Sequence, residues 1–181
     1  MITMDPTPRP GPRVVSIHIA PEAEGPMKSI DEVRAFAGRG LEGDRYFLKA
    51  GTYSDRPGSG REATLIESEA IEALERENDI RIDPGDARRN LVTQGAALNH
   101  LVGVDFRIGE VLLHGTRLCE PCAHLARLVG RNVVPGLVHR GGLRAVIRTD
   151  GIIRVGDPIL PAEPERVGAS ESAFREADTG H

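Results

Sequence analysis

Both cysteines of this chain lie in one tetrapeptide, Cys119-Glu120-Pro121-Cys122, so sulfur chemistry is confined to one place and no partner remains for a disulfide framework. The spacing admits three chemical readings and one without chemistry. A redox Cys-x-x-Cys pair belongs on the first turn of a helix in a βαβ setting, whereas the surroundings here are rich in strand patterns. Zinc needs two further ligands at a second knuckle; no second Cys-x-x-Cys or His-x-x-x-His exists, His114 is merely near in sequence, and His124 stands only two residues from Cys122, a poor spacing for tetrahedral closure. A single reactive thiolate needs Cys122 alone. Pro121 forces an extended approach, and Cys122 falls at the start of the helical stretch Ala123–Leu128, where backbone N–H groups lower a thiol's pKa. Such a thiolate is a nucleophile, a persulfide carrier, or a soft ligand for molybdenum or copper. Without chemistry, the pair is two small residues packed in a strand-to-helix turn.

The elements that must hold this segment read as short strands with few helices. Val14–Ala20 alternates as a half-buried strand and closes at Pro21. Ser29–Phe36 suits either a short helix, through Ile30, Val33 and Ala37, or a strand. Gly38, Gly40 and Gly43 free the backbone ahead of Asp44-Arg45, and no strand-then-helix frame makes them a phosphate loop. Residues 50–60 are a loop by composition. Ala63–Ile66 is the next strand, and Glu67–Arg76 an amphipathic helix with Ala70, Ile71 and Leu74 on one face. Pro84-Gly85 marks a turn before the strand-like Leu91–Thr93, and a second short helix covers Ala97–Leu101. Beyond Gly103 come strands at 105–108, 111–118, 144–148 and 151–155, with an Asp-Gly hairpin signal at Asp150-Gly151 and a turn at Gly156-Asp157-Pro158. The pattern predicts a mixed α+β chain, mainly β, forming a barrel-like domain with a few short helices.

Composition bounds the function classes. The 181 residues are 39% hydrophobic, 28% charged and 3% aromatic, enough for one core without metal or disulfide support. The expected organisation is a flexible tail over residues 1–13, one domain over 14–161 and an acidic flexible tail over 162–181, which carries three of the four net negative charges. A near-neutral body with two Tyr, four Phe and no Trp has neither the charge nor the stacking surface of a nucleic-acid binder. No apolar run reaches the roughly 20 residues of a membrane helix, and the proline-rich start lacks a signal peptide's apolar stretch. The expectation is a cytoplasmic protein without membrane or nucleic-acid partners.

Seven motifs in order complete the reading: Gly40-Leu41-Glu42-Gly43-Asp44-Arg45, Thr64-Leu65-Ile66-Glu67, Arg88-Arg89-Asn90-Leu91-Val92-Thr93-x-Gly95, Leu101-x-Gly103 with Phe106-x-x-Gly109, Cys119–Cys122, Arg140-Gly141-Gly142-Leu143-Arg144-Ala145, and Gly151-Ile152-Ile153-x-x-Gly156-Asp157. From Val14 to Ile159 this order resembles the MOSC domain, found at the C-terminus of molybdenum cofactor sulfurases and as small stand-alone bacterial proteins. The resemblance implies a β-rich, barrel-like fold whose cysteine, here Cys122 after Pro121, carries sulfur or binds the molybdenum of a pyranopterin cofactor. It also carries a recognition role to Asp44 and Arg45 and to Arg88 and Asn90, with guanidinium forks for phosphate and an amide for the pterin edge. Arg140, beside Gly141-Gly142, is a further phosphate contact through exposed backbone N–H groups, or else part of a plain hairpin. Asp44 and Arg45 equally suit a structural ion pair. Arg89 reads as solvated, His18 and His114 as packed or surface residues of strands, and His124 and His139 as neighbours of the thiol. The chain has no room for a pyridoxal-phosphate desulfurase domain, so sulfur would come from a cysteine desulfurase or other donor and pass to a molybdoenzyme's cofactor or another acceptor. The alternatives are a cofactor-binding protein with Cys122 as metal ligand, and a structural zinc or scaffold role.

Overall fold

The computed structural model describes residues 10–51 and 60–162. The ends of the expected tails, and most of the expected loop at 50–60, lie outside the described residues. Eleven strands are present among the described residues: β1 (Arg13–Ile19), β2 (Lys28–Ile30), β3 (Glu32–Phe36), β4 (Gly40–Leu41), β5 (Ala63–Glu67), β6 (Leu91–Gln94), β7 (Asp105–Ile108), β8 (Val111–Leu118), β9 (Leu143–Ile147), β10 (Gly151–Arg154) and β11 (Ile159–Pro161). The helices are α1 (Ser68–Asn78), α2 (Ala123–Val129) and α3 (Val134–Leu137), and 3-10 turns at Pro84–Ala87 and Leu98–Leu101 flank β6. The fold is mainly β and barrel-like, with a few short helices.

Eight strands form one sheet in the order β11-β7-β8-β9-β5-β6-β1-β2, and β10-β3-β4 form a second. The large sheet curls until the start of β1 reaches its β11 end: Arg13 bridges Pro158, and the amide of Val14 donates to the carbonyl of Asp157 at 3.0 Å. Bulges between Val14 and Ser16 and between Gly115 and Arg117 add the local twist that such curvature needs. Alternate side chains of β5 and β6 then serve two cores. Leu65 and Leu91 point into the barrel with Val14, Ile17, Phe106, Leu113 and Leu143. Ile66 and Val92 point outward, beneath Ala70, Ile71 and Leu74 of α1, Leu125 of α2 and Leu137 of α3. β5 and β6 are the parallel pair, and the helical layer gives them the two covered faces that parallel pairing requires.

Helix α1 falls where the helical spacing places it, and three other elements depart from or resolve the expectation. α1 ends at Asp79 in the left-handed region, φ 54°. The ambiguous stretch Ser29–Phe36 is two strands, because Val33 and Ala35 are buried while Glu32 and Arg34 face solvent, a period of two. The short helix at 97–101 is a 3-10 turn. The Asp-Gly hairpin does not form. β10 pairs with β3 and β9 with β8 and β5, because Asp150 accepts the amide of Ala37 at 2.7 Å and Thr149 accepts that of Leu112 at 2.9 Å. The dipeptide thus crosses between sheets. Among the described residues, no helix is long and apolar enough to cross a membrane.

Candidate functional site

The end of β8 delivers the cysteine segment to the junction of barrel and helical layer. The amide of Cys119 donates to the carbonyl of Gly142 at 2.7 Å, and the carbonyl of Cys119 accepts from the Arg89 guanidinium at 2.9 Å. A Cβ on Gly141 would stand 2.6 Å from the Cys119 oxygen and 2.9 Å from Pro121 Cδ, and one on Gly142 (φ 108°) 1.9 Å from the Leu65 oxygen. The glycine pair therefore exists to let β9 approach the cysteine segment and β5. Cys119 is buried, and Cys122 is exposed at the N-cap of α2 with no side-chain capping bond on its sulfur. Both cysteines are free thiols in this structure, and of the two only Cys122 is accessible to solvent.

Cys122 lines an open cleft of about 90 Å³, room for a few water molecules or a small anionic group. Arg45, Arg88, Arg89 and Arg144 line it, with Glu24, Glu120 and His124 at its rim and Leu125 and Leu128 as an apolar wall. Each cation is held differently. Arg45 pairs with Asp44 at 3.2 Å and lies over the Tyr46 ring, 5.0 Å from its centroid. Arg88, in the left-handed region at φ 56°, donates to the Gly25 carbonyl at 2.8 Å. Burial, and then the neighbouring Arg45 charge, hold its guanidinium below its ordinary pKa, opposed by Asp44, Glu24 and Tyr46. Arg144 has no hydrogen bond or ion pair on its guanidinium among the described residues. Arg89 is 7% exposed, not solvated as its polar context suggests. Its guanidinium donates to the carbonyls of Gly141 at 2.9 Å, Cys119 at 2.9 Å and Ala87 at 3.1 Å. The rim carboxylate Glu24 is bonded by Arg127 at 2.7 Å, which keeps its pKa below the usual value.

Two of the sequence-derived site residues lie behind the cleft. Asp44 accepts from the amides of Ala20 and Tyr46 and from Arg45. Asn90, 2% exposed, uses its whole amide internally: its oxygen accepts from the amide and hydroxyl of Thr64, and its nitrogen donates to the His18 carbonyl and to Asp44. Asp44 and Asn90 thus position Arg45 rather than line the cleft. Arg140 is outside it, paired with Glu77 at 2.6 Å. His139 is also outside, bound through its ring and amide to Glu120. His18 lies in β1 against Ser16, His114 in β8 against Asp105. Among the described residues, no group of three His, Cys, Asp or Glu side chains is placed to hold a metal ion. The polar cleft residues without a prior role are Arg89, Arg144, Thr64, Tyr46 and the two rim glutamates. Thr64 and Arg144 are cross-strand partners of β5 and β9, so strand alternation would have joined them only once that pairing was known.

The sequence model of the MOSC domain matches residues 53–160, more than half of the chain. The chain belongs to the MOSC domain family. YuaD from Bacillus subtilis superposes on this MOSC protein with a TM-score of 0.69 and 18% identity, covering 82% of this chain and 93% of that one. YiiM from Geobacillus stearothermophilus gives 0.63 and 16%, covering 84% and 75%, and YiiM from Escherichia coli 0.62 and 19%, covering 86% and 71%. At these identities the likeness is one of fold. A comparison with curated proteins found no match. Glu24 and Arg45 precede the matched segment, so the MOSC cleft is completed by the two loops that follow β1 and β4.

Proposed function

We propose that this MOSC protein carries sulfane sulfur on Cys122 and passes it to an acceptor bound in the arginine-lined cleft. The observation that supports this is the contrast between the cysteines: Cys122 is exposed at a cationic cleft, whereas Cys119 is buried with both backbone polar groups bonded. In loading, the Cys122 thiolate attacks the outer sulfur of a donor persulfide. The donor S–S bond breaks, its electron pair leaves with the donor thiolate, and the outer sulfur keeps its proton in the new Cys122 persulfide. In discharge, a nucleophilic acceptor attacks that outer sulfur and Cys122 departs as thiolate. The sulfane sulfur keeps its oxidation level, so neither step needs an oxidant or reductant. A cysteine desulfurase or other sulfur donor is the expected partner for loading, and a thiolate the simplest acceptor; a molybdoenzyme's cofactor would take the sulfur at the sulfide level, with the two electrons coming from its own reduced metal.

A second reading has Cys122 as a ligand of a molybdenum pyranopterin, and Arg144, which has no partner on its guanidinium among the described residues and lines the same cleft as this soft thiol, favours it. The donor set fits: a thiolate sulfur for the metal, and Arg45, Arg88 and Arg144 for the anionic parts of the cofactor. Bound there, the group would supply two-electron and oxygen- or sulfur-transfer chemistry. The chain's own residues would orient it and limit water at the thiol, with Leu125 and Leu128 forming the apolar wall.

Intact-mass measurement after exposure to cysteine and a generic desulfurase separates the two. A thiol-reversible gain of one sulfur, present in Cys119→Ser and absent in Cys122→Ser, is the expected result. No adduct on the wild type, with molybdenum retained through purification and lost in Cys122→Ser, would replace carrier with cofactor binder.

A further inference from the structure

Among the described residues, Arg89 is the one cation of the cleft that is buried and has no carboxylate. Its three hydrogen bonds all go to backbone carbonyls, of Ala87, Cys119 and Gly141, and no described carboxylate forms an ion pair with it. Arginine is almost never fully buried unless paired, because carbonyl dipoles only partly replace its hydration. The other buried arginine among the described residues follows that rule: Asp44 answers Arg45. Glu24 and Glu120, the carboxylates of the cleft rim, are engaged by Arg127 and His139 and are solvent-accessible, 42% each.

We propose that Arg89 is the specificity-determining charge of the cleft, a fixed cation that selects anionic reaction partners for Cys122. The proposal rests on Cys122 being the reactive group, as in the carrier reading. Held by three carbonyls, the Arg89 guanidinium cannot swing aside, and its field reaches the cleft through protein rather than water, with less screening than that of the half-buried Arg88 and Arg144. An anion entering beside Cys122 supplies the countercharge that the described residues do not. The sulfur donors and acceptors favoured are those with a carboxylate, phosphate or persulfide anion next to the reacting sulfur. Neutral or cationic analogues of the same size are disfavoured.

The test uses two thiol reagents of nearly equal size, anionic iodoacetate and neutral iodoacetamide, on the full chain in a Cys119→Ser background. Their rate ratio cancels the thiolate fraction and steric access, leaving the charge felt at Cys122. The ratio in the folded protein is expected to exceed that of the urea-unfolded chain. It should fall about four-fold in Arg89→Met and be kept in Arg89→Lys, which retains the charge but not the three-carbonyl fork. A purely structural role would slow both reagents alike. If Arg89→Met does not fold, Arg88→Met/Arg144→Met carries the test, since its ratio must stay above that of the unfolded chain. A folded Arg89→Met with an unchanged ratio, or a double variant at the unfolded value, overturns the proposal. Alkylation needs no sulfur donor, so a normal ratio in protein that never takes up sulfur sinks the carrier reading alone.

Discussion

Replacing Asn90 by Ala decides whether that residue recognises a ligand or holds the fold. Its side chain makes four buried hydrogen bonds: Thr64 amide at 3.2 Å, Thr64 hydroxyl at 2.9 Å, His18 carbonyl at 3.2 Å and Asp44 carboxylate at 3.2 Å. At about 1 kcal/mol net for each bond, with more for any group left without a partner, the loss is about 4 kcal/mol, or a fall in Tm of about 10 °C. Urea unfolding followed by circular dichroism measures it, and an unchanged m-value shows that only stability moved. Asn90→Asp sharpens the test. It removes both N–H donors and sets a carboxylate against Asp44, so it should destabilise strongly at neutral pH and recover on acidification, when one carboxyl takes up a proton and can donate. A ligand-contacting amide would behave otherwise. A cost below about 1 kcal/mol for Asn90→Ala would refute the network and return Asn90 to the cleft.

Arg140→Ala should cost less than about 1 kcal/mol and leave the Cys122 reagent ratio unchanged, because its half-exposed pair with Glu77 lies outside the cleft; thermal melts and the alkylation assay check both. Gly142→Ala should be among the most damaging single changes, about 3 kcal/mol or more, since its Cβ would sit 1.9 Å from the Leu65 oxygen at φ 108°; loss of a cooperative urea transition, or a large shift in its midpoint, is the expected readout. Burial lowers the pKa of His18. The unfolded chain therefore binds a proton there more readily, so this contribution to stability is complete above the unfolded pKa near 6.5 and is lost as pH falls towards the folded value. The slope from this one site cannot exceed about 1.4 kcal/mol per pH unit, and His18→Gln should flatten the stability profile in that window.

Strand alternation and helix periodicity are local, and wherever they ruled, the sequence was readable. α1 falls on the expected face because Ala70, Ile71 and Leu74 recur at helical spacing, and β1, β5, β7 and β8 fall where apolar residues cluster between turn residues. β3 was ambiguous because Ile30, Val33 and Ala37 mimic a helical stripe, and only pairing with β10 and β4 settles the period. Asp150-Gly151 misled for the same reason: a hairpin signal states that a chain can turn, not which strand it meets. The short α3 carries Pro135 and Gly136 and has no periodic signature, yet Gly136 is required where the Leu74 side chain of α1 packs against it.

The candidate site divides along the same line. Cys122 could be singled out because Pro121, the thiol and the helix that follows are contiguous, so their geometry is written into four or five residues. The roles of the arginines could not, because what an arginine does depends on what answers its charge. Arg88 and Arg89 are adjacent and chemically identical, yet one donates to a loop carbonyl 63 residues away at the cleft wall and the other to carbonyls 30 and 52 residues away beneath it. The left-handed backbone at Arg88 is what sends the two side chains to different partners, and nothing in the dipeptide announces it. Arg140 shows the converse: a guanidinium beside two glycines looks built for an anion, but the glycines serve Cys119, Pro121 and Leu65, and Glu77 takes the charge. A cation within a motif is therefore weak evidence of ligand contact. A buried cation that the fold leaves without a countercharge is stronger evidence, because its burial is costly until something anionic arrives, and in this chain that criterion selects Arg89.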